Sequence, residues 1–306
     1  MTGGAGFLGQ AFAARARGAG HEVTTVDRGG AADIRCDVTD VPAVAAAMAK
    51  VKPEAVVHLA ALLTDAAAGD PAAAVRVNIG GTAAVFAAAR AAAVRRIVYA
   101  SSVAAVGPCA EDSGDDVALR PQTVYGVTKA AGEHLCRALS ALDGYPASVA
   151  LRFGWVYGPG RERGWRVAQE VVEHFARGDR RVVVPDFPEP IDWTYVDDAA
   201  EALLRALAAP LPRFAAFNVV GDRRRMGDAV AHLQLRHPGV EVERETVAVP
   251  ASGWTLRNDG LGPALGFVPA MRLEDGIDAM LAAWRRDHVP AQPASAVDRH
   301  RLGNHR

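Results

Sequence analysis

The chain has 306 residues, half of them hydrophobic, so it can bury a large core. A formal net charge of −1 gives no basic field for nucleic acid or an anionic membrane, and no apolar run of about 18 residues stands out as a membrane span. The three cysteines lack a CxxC spacing. We therefore expect a cytoplasmic α/β protein without a metal site, whose partner is a small-molecule substrate rather than nucleic acid or a membrane.

A glycine-rich run between Thr2 and Gly9 satisfies both Gly-x-x-Gly-x-x-Gly and Gly-x-Gly-x-x-Gly. Glycines allow a tight turn and a close approach to a pyrophosphate, whose charge is attracted by the first N–H groups of the following helix. That helix is predicted to continue to Arg17 and to end at Gly18. The predicted cofactor contacts in this run are Gly3, Gly6, Phe7, Leu8 and Gly9.

Only Met1 and Thr2 precede this glycine motif, which should follow a strand. The first strand of such a fold is central in the sheet, so its loss would leave both neighbouring strands with unpaired, buried backbone groups. We hypothesise that the start of the chain lies several codons too late or that the first strand is truncated.

A β-branched run over residues 23–26 ends at Asp27. A carboxylate at this distance from the glycines is expected to meet the adenosine ribose hydroxyls and to repel a 2′-phosphate. The spacing predicts NAD rather than NADP as cofactor, with Asp27 and the adjacent Arg28 beside the ribose, although the charge of Arg28 would favour the opposite choice.

A short strand over 34–37 is predicted to bring Asp37 and Val38 to the adenine. Capping of a helix over 41–50 is an equally good role for Asp37 or for Asp40. A buried strand over 55–61 then leads into small residues where a cofactor can approach the backbone, and its predicted contacts are Leu59, Ala60 and Ala61. His58 in this strand is either a catalytic base or, more commonly for a lone histidine, a structural residue.

Asp70-Pro71 is predicted to begin a long helix that runs to Arg90 and carries Asn78. The next strand, over 96–100, leads into Ser101-Ser102, where ligands of open α/β sheets gather. A serine hydroxyl at this place can donate to the substrate oxygen, although Ser-Ser after a strand is also an ordinary turn.

Tyr125 and Lys129 are four residues apart, so they share one face of a predicted helix over 125–142. An ammonium at this distance is expected to lower the pKa of the phenol and to make Tyr125 a general acid or base. The pair alone is common by chance. Its position after a glycine motif, an acid and Ser-Ser is what favours catalysis.

The rest of the chain alternates short elements with turns. We predict a strand over 147–151, a turn-rich loop over 152–160, a helix over 166–177, a strand over 181–184 and helices over 199–208 and 273–286. The polar tail over 287–306 is predicted to be disordered.

Together these motifs resemble the extended short-chain dehydrogenase/reductase superfamily, in particular its NAD-dependent epimerase/dehydratase family. The resemblance covers roughly residues 2–205. The matching residues are Thr2 to Gly9, Asp27, Asp37, His58 to Ala61, Asn78, Ser101, Ser102, Tyr125, Lys129, Arg152, Tyr157 to Pro159 and Trp193 to Asp198.

The resemblance implies a Rossmann-type doubly wound parallel sheet, lacking most of its first strand, with a smaller C-terminal α/β substrate domain. The NAD domain would span 1–175 with 190–220 returning to it, and the substrate region would span 176–189 and 221–286. A homodimer formed through two helices per subunit is also implied. By the family's roles, Ser102 is the active-site hydroxyl, Tyr125 the acid/base, and Lys129 binds the nicotinamide ribose and favours the phenolate.

The departures from the family pattern concern the substrate. The family's dehydratases place acids directly after the Ser or Thr, where this chain has Val103 and Ala104. Enzymes of nucleotide sugars usually carry Asn and Arg where this chain has Trp155 and Ile191, and losing both contacts would cost several kcal/mol unless Arg161, Arg163 or residues 223–225 replace them.

Three functions follow from this pattern. The first is an NAD-dependent oxidoreductase or epimerase that acts on a secondary alcohol of a sugar or nucleotide sugar. The second is a simple dehydrogenase of a small hydroxy substrate, because residues 58–63 and 121–133 are similar to short-chain L-threonine dehydrogenases. The third is a non-catalytic NAD-binding regulator, against which the intact Ser102, Tyr125 and Lys129 argue.

Overall fold

The computed structural model describes residues 1–109, 113–162, 164, 166–187, 189–246 and 256–288. Helices α1 to α11 are Phe7–Gly18, Val41–Val51, Thr64–Gly69, Pro71–Ala74, Gly81–Ala91, Val124–Ser140, Val167–Arg177, Val196–Ala208, Met226–Arg236, Leu261–Leu265 and Leu273–His288. Strands β1 to β11 are Val26–Asp27, Ile34–Arg35, Ala55–His58, Arg96–Ser102, Ala147–Phe153, Trp155–Tyr157, Arg181–Asp186, Ile191–Tyr195, Phe214–Val219, Asp222–Arg224 and Glu241–Thr246.

The main sheet is parallel, and β3, β4, β5 and β9 are neighbours in that order. Thr2 lies between β1 and β3 and forms parallel bridges with Val26 and His58, so that β1 and β2 extend the same sheet. The Thr2 N–H donates to Val57 O at 2.9 Å and its carbonyl accepts from Leu59 N at 3.1 Å. A single residue thus occupies the place expected for the first strand.

Helices cover both faces of this sheet. On one face α1 packs against α8, and their small residues meet apolar strand side chains such as Leu151 and Phe217. On the other face α2, α5 and α6 cover Ile97 and Tyr99. Strands β4 and β5 are buried on both faces, which explains why their central residues, 97–100 and 149–151, are continuously apolar rather than alternating. The predicted doubly wound α/β sheet is therefore present.

The helix predicted to run to Arg90 consists of α4, a π-helical segment over Val75–Gly80, and α5. By length and mean hydropathy (1.4), the stretch Pro71–Ala91 would suffice for a membrane span, which corrects the expectation that no such run exists. Half of its apolar window is buried inside the protein, against α2 and α6, as in the core helix of a globular domain.

A second group of strands and helices does not belong to the main sheet and its covering helices. Strands β10, β8 and β6 form a small sheet, β7 pairs with β11, and α7, α9 and α11 pack with them. Their shared core includes Phe175, Trp193, Met226 and Leu273. These elements form the smaller α/β region. By packing it includes β6, α7 and β8, which the predicted boundaries assign wholly or mostly to the NAD domain, and the division of the chain into two domains stays a prediction.

The predicted loop over 152–160 was wrong in part, because it contains β6. Trp155 and Tyr157 pair with Trp193 and Tyr195 of β8, and Tyr157 packs edge-on against both of those rings, at 5.2 and 5.5 Å between centroids. Aromatic contacts across strands therefore order a segment whose glycines and proline suggested only turns.

Two element ends also differ from prediction. The strand expected over 23–26 begins only at Val26, because the Asp33 carboxylate accepts from the Thr25 N–H (2.8 Å) and hydroxyl (2.7 Å). Helix α11 continues to His288, whose ring stacks on Trp284 at 4.5 Å, so the first two residues of the predicted tail are helical. The remaining predicted tail, 289–306, lies outside the described residues.

Candidate active site

The candidate site lies where the parallel strands end. The carboxyl ends of β1, β3, β4 and β5 carry Asp27, His58, Ser102 and Phe153, and the register places Ser102 opposite Phe153. Because open α/β sheets bind ligands at this edge, the predicted site residues are brought to one side of the molecule.

The glycine run forms a tight cradle ahead of α1. Gly3 has φ +70°, and a Cβ there would lie 2.7 Å from Ala60 N. A Cβ at Gly9 would lie 2.2 Å from Gly3 O, so both positions require glycine. Gly6 is the N-cap of α1 and gives it no side-chain cap, which leaves the first amides, including those of Phe7 and Leu8, available to an anion.

Asp27 is held beside this cradle. Its Oδ2 accepts from Ala5 N at 3.1 Å and its Oδ1 from Gly29 N at 3.3 Å, while Arg28 is exposed. The Asp27 carboxylate is thus oriented by the backbone of the glycine run, whereas the Arg28 side chain extends into solvent. This arrangement suits ribose hydroxyls better than a 2′-phosphate.

The alternative roles of Asp37 and Asp40 separate in the structure. Asp40 is the N-cap of α2 and accepts from Ala43 N at 3.0 Å. The Asp37 carboxylate accepts instead from the Thr39 N–H and hydroxyl, which lowers its pKa. Val38 is buried. Asp37 is therefore free of the capping role, and its contact with the adenine stays a prediction.

Asn78 connects two parts of the site. Its Oδ1 accepts from Leu62 N at 2.7 Å, and its Nδ2 donates to Leu62 O at 3.0 Å and to the Thr128 hydroxyl at 2.8 Å. The side chain is buried and these protein contacts occupy both amide protons. Asn78 thus ties the backbone that follows Leu59, Ala60 and Ala61 to helix α6. We assign it a positioning role, and direct contact with the cofactor stays a prediction.

His58 is a core residue. It is 1% exposed, its Nδ1 lies 2.6 Å from the Thr2 hydroxyl and its Nε2 lies 3.0 Å from the Thr82 hydroxyl. Burial lowers the pKa of His58 to about 3, so the ring is neutral at physiological pH. Because both ring nitrogens face hydroxyl groups within hydrogen-bonding distance, a structural role for His58 is favoured over a role as catalytic base.

Tyr125 and Ser102 meet because α6 approaches the turn after β4 closely. A Cβ at Gly126 would lie 2.2 Å from Ala104 O, so only glycine permits this approach. The Ser102 Oγ accepts from Ala104 N at 3.2 Å, and the Ser102 side chain opposes the effect of burial on the pKa of Tyr125. The importance of Gly126 was missed in the sequence, although its position directly after Tyr125 was the available signal.

Lys129 is fully buried one turn along α6. Its Nζ donates to Ala100 O at 2.6 Å and lies 5.1 Å from the Tyr99 ring centroid and 5.7 Å from that of Tyr125. Burial lowers the pKa of Lys129 to about 8. Lys129 therefore lies beside Tyr125, as its spacing predicts.

The predicted lowering of the tyrosine pKa was wrong for this structure. Burial raises the pKa of Tyr125 to about 12, against opposing effects of the Ser102 hydrogen bond and the positive charge of Arg161. The Lys129 ammonium is directed at Ala100 O and is not one of the groups that lower the pKa of Tyr125, so the effect of burial dominates. Tyr125 is consequently protonated and ready to donate a proton.

A buried ion pair behind the site was not predicted. Arg152 makes a bidentate contact with Glu133, at 3.0 Å from Nε to Oε2, and both side chains are 3% exposed. The Ser101 hydroxyl donates to the same carboxylate at 3.1 Å. Glu133 is four residues after Lys129 on the same helix face, a spacing that could have indicated it.

These residues fit NAD. Gly3 and Gly9 of the cradle leave no room for a Cβ, the uncapped helix end suits a pyrophosphate, and Asp27 suits a ribose. Lys129 and Tyr125 lie near the end of β4, where a nicotinamide would meet a substrate. The profile of the NAD dependent epimerase/dehydratase family matches residues 1–220. The chain belongs to this family.

Sequence relatives within the family include two bacterial enzymes. The 2-alkyl-3-oxoalkanoate reductase of Stenotrophomonas maltophilia (strain K279a) is 35% identical over 226 residues, which cover 69% of this chain but only 66%, just under two thirds, of the reductase. The UDP-glucose 4-epimerase of Mycolicibacterium smegmatis (strain ATCC 700084 / mc(2)155) is 30% identical over 227 residues, covering 67% of this chain and 72% of the epimerase.

Solved structures of the family cover nearly the whole chain. MoeE5 in complex with UDP-glucuronic acid and NAD has a TM-score of 0.84 and 26% identity, covering 94% of this chain and 98% of MoeE5. The UDP-glucose 4-epimerase of Thermus thermophilus, in complex with NAD, has a TM-score of 0.81 and 25% identity, covering 93% of this chain and 97% of the epimerase. The predicted family, fold class, enzyme class and NAD cofactor are thereby confirmed.

Proposed function

We propose that this epimerase/dehydratase family member is an NAD-dependent oxidoreductase or epimerase that acts on a secondary alcohol, or its ketone, of a sugar or nucleotide sugar. The observation that carries the proposal is the position of the Lys129 ammonium, 5.7 Å from the centroid of the Tyr125 ring, with Ser102 near enough to the Tyr125 phenol to oppose the effect of burial on its pKa. These groups occupy the strand ends beside the nucleotide cradle, where proton and hydride transfer must coincide.

Bound NAD would supply the hydride acceptor or donor. Tyr125, which is protonated in the free protein, would donate its proton to a carbonyl oxygen during reduction. In the reverse direction the resulting phenolate would accept the proton of a substrate hydroxyl, and Ser102 would hold that same oxygen by a hydrogen bond. Lys129 would keep α6 in place through Ala100 and hold a ribose hydroxyl. An epimerase would return the hydride to the opposite face of the ketone. A dehydrogenase would instead release the ketone as its product.

Elimination of water is disfavoured as a reaction. The residues that follow Ser102 are Val103, which is buried, and Ala104, whose carbonyl lies against Gly126. Neither side chain can transfer a proton, so the site has no second acid or base at that position.

A second candidate is a net dehydrogenase or reductase of a small substrate without a nucleotide. Ile191, which stands where nucleotide-sugar enzymes usually carry Arg, is 3% exposed in the core of the smaller α/β region. Trp155, which stands for their Asn, packs edge-on against Phe187 at 6.1 Å. Apolar side chains in both places support a substrate that needs no phosphate contact there.

The test is a near-ultraviolet assay of NADH with free sugars, nucleotide sugars, small hydroxy acids and L-threonine, with products separated by chromatography. An epimerised sugar without net NADH supports the first candidate, and net NADH from a small substrate supports the second. Turnover unchanged in Tyr125→Phe would exclude both. We further propose a cytoplasmic homodimer, which analytical ultracentrifugation would test.

A further inference from the structure

Arg161 is a partly buried arginine on the loop that follows β6. Its Nη1 donates to Val156 O at 2.7 Å, and its guanidinium carbon lies 5.4 Å from the centroid of the Phe7 ring. Its Nε is buried and has no hydrogen-bond partner. Burial lowers the pKa of Arg161, but an arginine stays charged at neutral pH.

A buried guanidinium N–H without a partner is energetically unfavourable, because the group has lost its water. Arg152 shows the usual solution in this protein, a bidentate contact with Glu133. Arg161 forms no ion pair with any carboxylate in the described part of the chain. Its free hydrogen-bonding capacity is therefore available to a ligand rather than to the fold.

The position of Arg161 indicates which ligand. Phe7 is the first residue of α1, at the uncapped end beside the glycine cradle. The charge of Arg161 is also close enough to Tyr125 to oppose the effect of burial on the pKa of the phenol. The guanidinium is therefore near both the first residue of the helix at the cofactor cradle and the acid/base.

We propose that Arg161 is an anion-binding residue of this cleft and takes a carboxylate or phosphate group carried by the substrate near the reacting carbon. The planar fork of a guanidinium binds such groups through two parallel hydrogen bonds. This proposal rests on the proposed function, because it takes Tyr125 as the reacting group. The pyrophosphate of NAD has the same chemistry, so the experiment separates the two sources.

The probes are NADH, inorganic phosphate and malonate, and the proteins are wild type, Arg161→Gln, Arg161→Lys and Arg177→Gln. Arg177 is an exposed arginine of α7, so its variant loses the same charge away from the cleft. NADH affinity is measured by fluorescence. Phosphate and malonate affinities are measured by calorimetry on the NADH complex at constant ionic strength, after circular dichroism has confirmed folding.

Arg161→Gln should weaken phosphate or malonate binding about 10-fold to 100-fold, with partial recovery in Arg161→Lys and no change in Arg177→Gln. Unchanged NADH affinity assigns the anion to the substrate. A similar loss in NADH affinity assigns it to the cofactor pyrophosphate. Anion and NADH affinities that both stay within about twofold of wild type would overturn the anion site.

These measurements do not need turnover, so they fail independently of the proposed function. If Tyr125→Phe retains turnover while Arg161→Gln loses anion binding, the function is wrong and the anion site stands. If Tyr125→Phe abolishes turnover while Arg161→Gln binds anions normally, the anion site is wrong and the function stands.

Discussion

The Lys129 ammonium donates a 2.6 Å hydrogen bond to the carbonyl oxygen of Ala100, two residues before Ser102 on the same strand. This bond attaches the helix that carries Tyr125 to the strand that carries its serine partner. Because burial lowers the pKa of Lys129 to about 8, the charge on this connection is lost within an accessible pH range.

NADH affinity should therefore decline as the pH rises through about 8. Lys129 is charged below its pKa of about 8 and neutral above it, and only the charged form provides an ammonium for a ribose hydroxyl. Fluorescence titrations between pH 6.5 and 9.5, a range chosen around that value, measure the effect. Lys129→Met should bind weakly throughout. If it has the same pH profile as wild type, another group is responsible.

Tyr125→Phe should reduce kcat by about 100-fold to 10,000-fold, because the variant keeps the ring but removes the phenolic proton that lies beside Ser102. NADH affinity should be nearly unchanged. Tyr145→Phe is the control, since Tyr145 stacks with Arg90 away from the site. An equal effect of the two substitutions on kcat would argue against Tyr125 as the acid/base.

Gly9→Ala should weaken NADH binding by at least about 10-fold, because its Cβ would lie 2.2 Å from Gly3 O and would displace the cradle. Gly18→Ala, in the same helix, has no atom within 4 Å of the new Cβ and should bind NADH normally. The comparison separates loss of the cradle from a general effect of alanine in α1. Normal NADH binding by Gly9→Ala would contradict the role of the cradle.

Glu133→Gln should lower the free energy of unfolding by about 3–5 kcal/mol, because it leaves the buried Arg152 without its carboxylate. Urea denaturation measures the loss. The matched control is Glu54→Gln, whose pair with Arg95 has a glutamate side chain 82% exposed and should change stability by less than about 1 kcal/mol. Similar midpoints for both variants would show that the buried pair contributes little.

His58 should make the protein less stable in mild acid. Its folded pKa of about 3 lies below the ordinary 6.5, so below pH 6.5 the unfolded chain takes up a proton that the folded protein cannot. Stability then falls as the pH falls, by up to about 1.4 kcal/mol per pH unit. In urea titrations at pH 7 and pH 5, His58→Gln should lose less stability than wild type, whereas the exposed His21→Gln should behave like wild type.

Local sequence patterns were sufficient to predict many of the helices and strands of this protein and the position of several candidate site residues. The glycine spacing, the acid at Asp27 and the four-residue interval between Tyr125 and Lys129 predict elements and side-chain directions within a few residues, and the structure brings them to one edge of the sheet. The apolar runs over 97–100 and 149–151 likewise predict the central parts of β4 and β5, because strands buried on both faces need such sequences.

Properties that depend on contacts distant in the sequence were not predictable in this way. The direction of the Lys129 ammonium depends on Ala100, 29 residues away, and the raised pKa of Tyr125 depends on burial by residues distant in the sequence. Strand β6 depends on pairing with Trp193, and the Glu133–Arg152 pair depends on how closely α6 approaches β5. The four-residue interval from Lys129 to Glu133 places the carboxylate on the right face of α6, but no spacing along the chain encodes its distance to Arg152, or those to Ala100 and Trp193.

Gly276 of α11 lies close to the Tyr157 hydroxyl, so a substitution at this glycine would affect Tyr157. A Cβ at Gly276 of α11 would lie 2.1 Å from that oxygen, and Tyr157 is four residues before Arg161. A single methyl group added at Gly276 would thus push on the ring that anchors the loop carrying Arg161. A substitution more than a hundred residues downstream can therefore displace the loop that carries Arg161 without any change in the sequence of that loop.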